Sequence, residues 1–291
     1  PLFDNIFAAI EKWMRELLTG MVESNMSTMF TDVNEKTSEI AAQVGRTPQN
    51  WNSSVFSMIQ NLSESVVVPI AGIIITLVLC YELISMLTER NNLHDVDTWM
   101  FFKYFVKAWV AIYLVSNTFT ITMAVFDVGQ SVVNSASGII NGETAIDVSS
   151  LSMQMQAAMA TMEIGELVVM ALETFLVSFC MKIMSVVITV IVYGRMIEIY
   201  LYTSLAPIPF ATMSNREWGH VGTNYFRGLF ALAFQAFLMM VCVAIYAALI
   251  SSVRISSNMH SALIGVAAYT VILCFSLMKT GSLSKQIFGS H

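Results

Sequence analysis

Five polar side chains stand inside long apolar stretches: Glu82, Asn117, Glu173, Lys182 and Gln235. An ionisable group at bilayer depth must pair, snorkel to an interface or line a polar path, so these positions are the first candidates for function. Glu173 and Lys182 lie about 180° apart around a helix at 100° per residue, so they cannot neutralise each other and each needs a partner from elsewhere. Glu173, Arg195 and Glu198 share a face within about 60°, and Arg195 can pair with Glu198 at i,i+3. The chemistry on offer is charge pairing between helices or the lining of a conduit. Bond-making chemistry has no such support: the sequence holds no Walker A loop, HExxH, GxSxG or GxGxxG, so no catalytic residue, metal or cofactor is expected. His94-Asp95-Val96-Asp97 superficially suggests a ligand set, but beside Asn91, Asn92 and Trp99 it reads as a solvated helix cap. Cys80, Cys180, Cys242 and Cys274 all fall in apolar runs without CxxC spacing and read as small buried hydrophobes.

The elements that must position these groups follow from composition. Of 291 residues, 56% are hydrophobic and 12% charged, with mean hydropathy +0.68. A soluble domain carries about 25% charge, so an ordinary soluble enzyme is excluded, and the composition is that of an all-α polytopic membrane protein. Net charge is −6, from 14 basic against 20 acidic residues, which excludes a general basic surface for nucleic acid or anionic lipid. A membrane-crossing helix needs about 20 apolar residues. The apolar runs predict five spans at about 66–87, 104–126, 164–205, 225–250 and 257–278, with an amphipathic helical segment at 1–65 outside, a membrane domain at 66–280 and a cytoplasmic tail at 281–291. No Pro, Asn-Gly or polar cluster interrupts 167–193, so the third run is one long helix projecting beyond the bilayer.

Orientation follows the positive charges. Arg90, Lys103 and Lys107 follow span one, Arg195, Arg216 and Arg227 surround the link between spans three and four, and Lys279 and Lys285 close the chain. These segments are expected in the cytoplasm. From Ala108 to Met181 there is no Lys or Arg but several Asp and Glu, which places that segment outside and the N-terminus with it. Residues 1–22 lack the charged n-region and continuous h-region of a cleavable leader.

Phe3, Phe7, Ile10, Trp13 and Leu17 belong to an apolar stripe at helical spacing with mixed charges opposite, as expected of a helix lying in the membrane interface or packing on a neighbouring helix. Met26, Met29, Phe30, Val33, Ile40 and Val44 form a second stripe, and 45–50 reads as a turn. Ser131 and Ser135 have the small-xxx-small spacing that admits a close helix neighbour, Asn141–Thr144 reads as a linker, and the methionines at 153, 155, 159 and 162 read as core filler or an adaptable contact. Pro207 and Pro209 must break the long third helix near Ala206, freeing carbonyls that line a vestibule or a subunit contact.

The runs Val192-Tyr-Gly-Arg-Met-Ile-Glu-Ile-Tyr, Ser204-Leu-Ala-Pro-Ile-Pro-Phe-Ala-Thr, Asn215-Arg-Glu and Lys279-Thr-Gly-Ser-Leu-Ser-Lys-Gln-Ile-Phe-Gly, with Ser57-Met-Ile-Gln, Val68-Pro-Ile-Ala-Gly and Cys80-Tyr-Glu-Leu-Ile-Ser, resemble the TrbL-like conjugal transfer proteins. These are polytopic inner-membrane components of type IV secretion systems, here of the kind found on Gram-positive conjugative elements. The resemblance implies a scaffold and conduit subunit of the bacterial cytoplasmic membrane, N-terminus outside and C-terminus inside, assembling into a ring that is pentameric in related systems. It implies work beside a transfer ATPase, a bitopic assembly protein and a cell-wall hydrolase on a relaxase-bound DNA strand. Lys103, Lys107, Lys182, Arg195, Arg216 and Arg227 are then the candidates for contact with a polyanion or the ATPase. The rival class is a small-solute channel or secondary transporter, suggested by the broken helix. Transporters commonly pair their broken helices, whereas this sequence has one break.

Overall fold

The computed structural model describes residues 2–88, 98–140, 148–253 and 259–290. Every regular element among them is helical: α1 (Leu2–Val44), α2 (Pro48–Trp51), α3 (Ser53–Leu62), α4 (Val68–Thr88), α5 (Thr98–Ser116), α6 (Thr118–Ile140), α7 (Val148–Met159), α8 (Ile164–Ser204), α9 (Pro207–Thr212), α10 (Gly219–Ser251) and α11 (Met259–Ile287). Among the described residues five stretches are long and apolar enough to cross a membrane: Ser53–Thr88, Thr98–Ser116, Ile164–Ser204, Gly219–Ser251 and Met259–Ile287. The 41 residues of α8 span about 61 Å, roughly twice the hydrocarbon thickness.

Several boundaries differ from the sequence reading for local reasons. The run expected as one span at 104–126 is two helices meeting at Asn117. There the Asn117 amide donates to the Tyr113 carbonyl (2.9 Å), which the Asn117 N–H also uses (3.1 Å), and the Thr118 hydroxyl to those of Leu114 and Val115 (2.8 and 2.9 Å), so side-chain donors compete for the helix's acceptors. Span one begins earlier, because α3 joins α4 through a widened π turn at Ser63–Val67. Pro69 cannot donate to the carbonyl four residues back and its ring crowds it, which the wider turn relieves. The expected turn at 45–50 contains the start of α2, whose N-cap Thr47 accepts from the Asn50 N–H. The linker at Asn141–Thr144 and the His94-to-Asp97 run lie outside the described residues.

The helices pack in two compact units, 1–44 with 136–192 and 239–279, and 45–135 with 193–238 and 280–291. In the first, the two apolar stripes of α1 fall on faces about 140° apart on one continuous helix. Phe3, Phe7, Ile10, Trp13 and Leu17 are exposed, Trp13 by 62%, whereas Val22, Met26, Met29, Phe30, Val33, Ile40 and Val44 are buried. The second stripe packs along α8: the Asn25 amide donates to Thr174 (3.4 Å), the Ser178 hydroxyl to the Asn25 carbonyl (3.2 Å) and Lys36 to Thr189 (3.4 Å). Residues 22–44, expected outside with the rest of 1–65, thus lie beside the stretch of α8 expected to cross the bilayer.

In the second unit, Ala71, Ile75 and Leu79 of α4, Ala111 and Val115 of α5 and Phe210 and Ala211 of α9 form one apolar cluster. Val125 and Phe126 of α6, Met196 and Ile199 of α8 and Leu229, Leu232 and Ala233 of α10 form another. The close approach of α6 to α10 occurs at Gly129, where a Cβ would stand 2.8 Å from the Ala233 carbonyl oxygen, and not at the exposed Ser131 and Ser135.

Candidate functional site

Of the polar residues singled out by sequence, Arg195 and Gln235 lie in the second unit with the helix break and the polar layer beside it. α8 ends at Ser204 and α9 starts at Pro207, with Ala206 fully buried between them. Two aromatic rings brace this corner. Tyr202 and Tyr225 stack at 4.4 Å between centroids, and each hydroxyl donates to the other residue's backbone carbonyl, at 3.2 and 2.7 Å. Gly228 lets α10 approach, because a side chain there would collide with the Tyr202 hydroxyl. Asn215, buried, accepts the N–H groups of Glu217 and Trp218 (2.7 and 2.9 Å) and so turns the chain into α10.

Arg195 is only 7% exposed and donates to the Leu232 carbonyl at 3.3 Å, with its Nε unpartnered. The expected Arg195–Glu198 pair does not form. Glu198 instead takes Lys285 from the last turn of α11 at 3.0 Å, because Arg195 is turned into α10 while Glu198 stays half-exposed beside α11. Gln235, 6% exposed, donates to Thr280 at 3.4 Å, and Ser284 donates to the Ala231 carbonyl at 2.6 Å, so α10 and α11 meet through a polar seam. Phe288 packs against Phe230 and Phe234, and Gly289 at φ +62° closes the helix in the left-handed conformation that glycine alone adopts freely.

The remaining candidates separate. Lys107 pairs with Glu82 at 2.5 Å across α5 and α4, and Lys103 sits 5.6 Å over the Trp99 ring. Lys103, Arg216 and Arg227 are exposed. Asn117 spends its amide within its own helix. In the first unit Glu173 pairs with His260 of α11, a partner the sequence reading did not name, while Lys182 is exposed and has no ion pair among the described residues. Of the cysteines only Cys274 is buried. Cys242 is half-buried and Cys80 and Cys180 are exposed, since an apolar side chain in a span can rest against lipid instead of protein. No cluster of His, Cys, Asp or Glu suited to a metal occurs among the described residues.

Long apolar helices, an all-helical fold and a polar seam inside it define a polytopic membrane protein. Residues 33–207 match the family model described as TrbL/VirB6 plasmid conjugal transfer like protein, more than half of the chain, and the chain belongs to that family as a component of a conjugal transfer system. No curated protein and no solved structure matches it.

Proposed function

We propose that the chain is a non-enzymatic scaffold and conduit subunit of a conjugative type IV secretion system, several copies of which join in the cytoplasmic membrane into a ring supporting DNA transfer or pilus assembly. The family match carries this reading, since it runs from the second half of α1 to the helix break and includes three of the five long apolar helices. The charge distribution favours an external N-terminus and a cytoplasmic C-terminus. On that side Lys103, Arg216 and Arg227 are exposed and are the candidate contacts for the transfer ATPase or the transferred strand. Arg195 and Lys107 act within the fold, Arg195 through its burial and Lys107 through Glu82.

Deleting the gene from its element should abolish conjugative transfer, and the intact gene supplied in trans should restore it. Normal transfer without the protein would refute the role, and lost uptake of a small solute in the same strain would favour a transporter. Lys103→Glu, Arg216→Glu and Arg227→Glu should lower transfer frequency while the protein still reaches the membrane. Unchanged transfer in all three would remove those residues from the contact surface.

A further inference from the structure

A cavity of about 20 Å³ lies within the first unit where α1, α8, α10 and α11 meet. Its polar walls are Asp32, Lys36 and Thr37 of α1, Ser185 of α8, Tyr246 of α10 and Thr270 of α11, with apolar side chains filling the rest. That volume admits one water molecule or one dehydrated small ion, about 10–15 Å³ being the least a water needs.

The protons of the two threonines and the tyrosine are committed away from the space. Thr37 donates to the Val33 carbonyl (2.8 Å), Thr270 to the Val266 carbonyl (2.9 Å) and Tyr246, in consequence, to the Thr270 oxygen (2.8 Å). Asp32 and the Ser185 hydroxyl make no hydrogen bond or ion pair among the described residues. Lys36, the cation one turn from Asp32, is instead held by Glu39. Lys36 and Glu39 cancel, which leaves the Asp32 carboxylate as one unbalanced negative charge on a wall whose other polar atoms, the Lys36 ammonium apart, are hydroxyl oxygens. A water would leave the carboxylate's charge unbalanced, and an anion would add to it. A hard cation needs oxygen ligands alone.

We propose that this cavity binds a single monovalent cation of the size of Na⁺, held by Asp32 with the oxygens of Ser185, Thr37 and Tyr246, and that the ion fastens α1 to three membrane helices. The one unbalanced carboxylate matches one positive charge, and a divalent ion would stay underneutralised. The site is independent of any part played in conjugation, and its test does not use transfer.

The protein purified in detergent is compared in sodium chloride and choline chloride at equal ionic strength, with potassium chloride as a third arm, by thermal unfolding and calorimetric titration of Na⁺. Sodium should raise the unfolding temperature saturably, and potassium should raise it less. Asp32→Asn should abolish the sodium-dependent rise while unfolding in choline no earlier than the wild type, because the unbalanced charge is gone. Ser185→Ala should raise the half-saturating sodium concentration by about fivefold, the loss of one oxygen ligand at ~1 kcal/mol, and decides the matter if Asp32→Asn does not fold. Equal unfolding temperatures in sodium and choline for the wild type, or a sodium response untouched by both substitutions, would overturn the proposal and leave water as the occupant.

Discussion

Tyr202 and Tyr225 act as reciprocal fasteners, each hydroxyl closing onto the other's carbonyl across the corner left by the helix break. Removing either hydroxyl deletes one of these bonds, so Tyr202→Phe and Tyr225→Phe should each cost about 1 kcal/mol. The double variant should cost less than the sum, because the partners are shared. Unfolding temperatures of the three variants in detergent check this, and strict additivity would argue that the two bonds are independent. The Glu82–Lys107 pair makes a sharper case, because both residues sit in spans. Breaking such a pair from one side leaves a lone charge, so Lys107→Met should destabilise by roughly 3 kcal/mol while Lys107→Met with Glu82→Gln recovers most of it. Failure of the second substitution to rescue the first would mean that the pair contributes through packing. Sequence showed that Glu173 needed a partner but not which one, since the answer, His260, is supplied by α11, some 87 positions away.

At the level of elements, long apolar runs were legible because an uncharged stretch of about 20 residues has few alternatives to a membrane helix. The break at Asn117 was not legible. A hydropathy window averages Ser116, Asn117 and Thr118 away, whereas the backbone responds to where their side chains bond. α1 misled for a different reason: its two apolar stripes were recognisable, but only contacts distant in sequence show that one is buried and the other left open. The outer face of its buried half carries Ser24, Ser27, Thr28, Thr31, Glu35 and Ser38, all exposed, although it runs beside the apolar middle of α8. A face of that composition should meet water. In a cysteine-free variant, Ser27→Cys, Thr31→Cys and Ser38→Cys should react with a water-borne thiol reagent, while Phe179→Cys and Val186→Cys should not. Protection of the α1 positions would mean that another protein surface covers them. The Gly129 contact adds a steric test: Gly129→Ala should cost roughly 1–3 kcal/mol by forcing α6 from α10, against less than ~1 for the same change at the open Gly72.

For the whole molecule, family membership and membrane residence rest on the match over residues 33–207 and on the five apolar helices. If copies join into a ring, native electrophoresis of the mildly solubilised protein should show one species several times the 32.2 kDa of the chain, and a particle of single-chain size would count against assembly. The half-exposed Glu198–Lys285 pair closes within a single chain. The exposed thiols at Cys80 and Cys180 have a practical corollary. The native polypeptide carries two spectroscopic handles on separate helices, so a polarity-sensitive fluorophore attached to them with a lipid-soluble thiol reagent should emit as from oil and be quenched by nitroxide-bearing lipids.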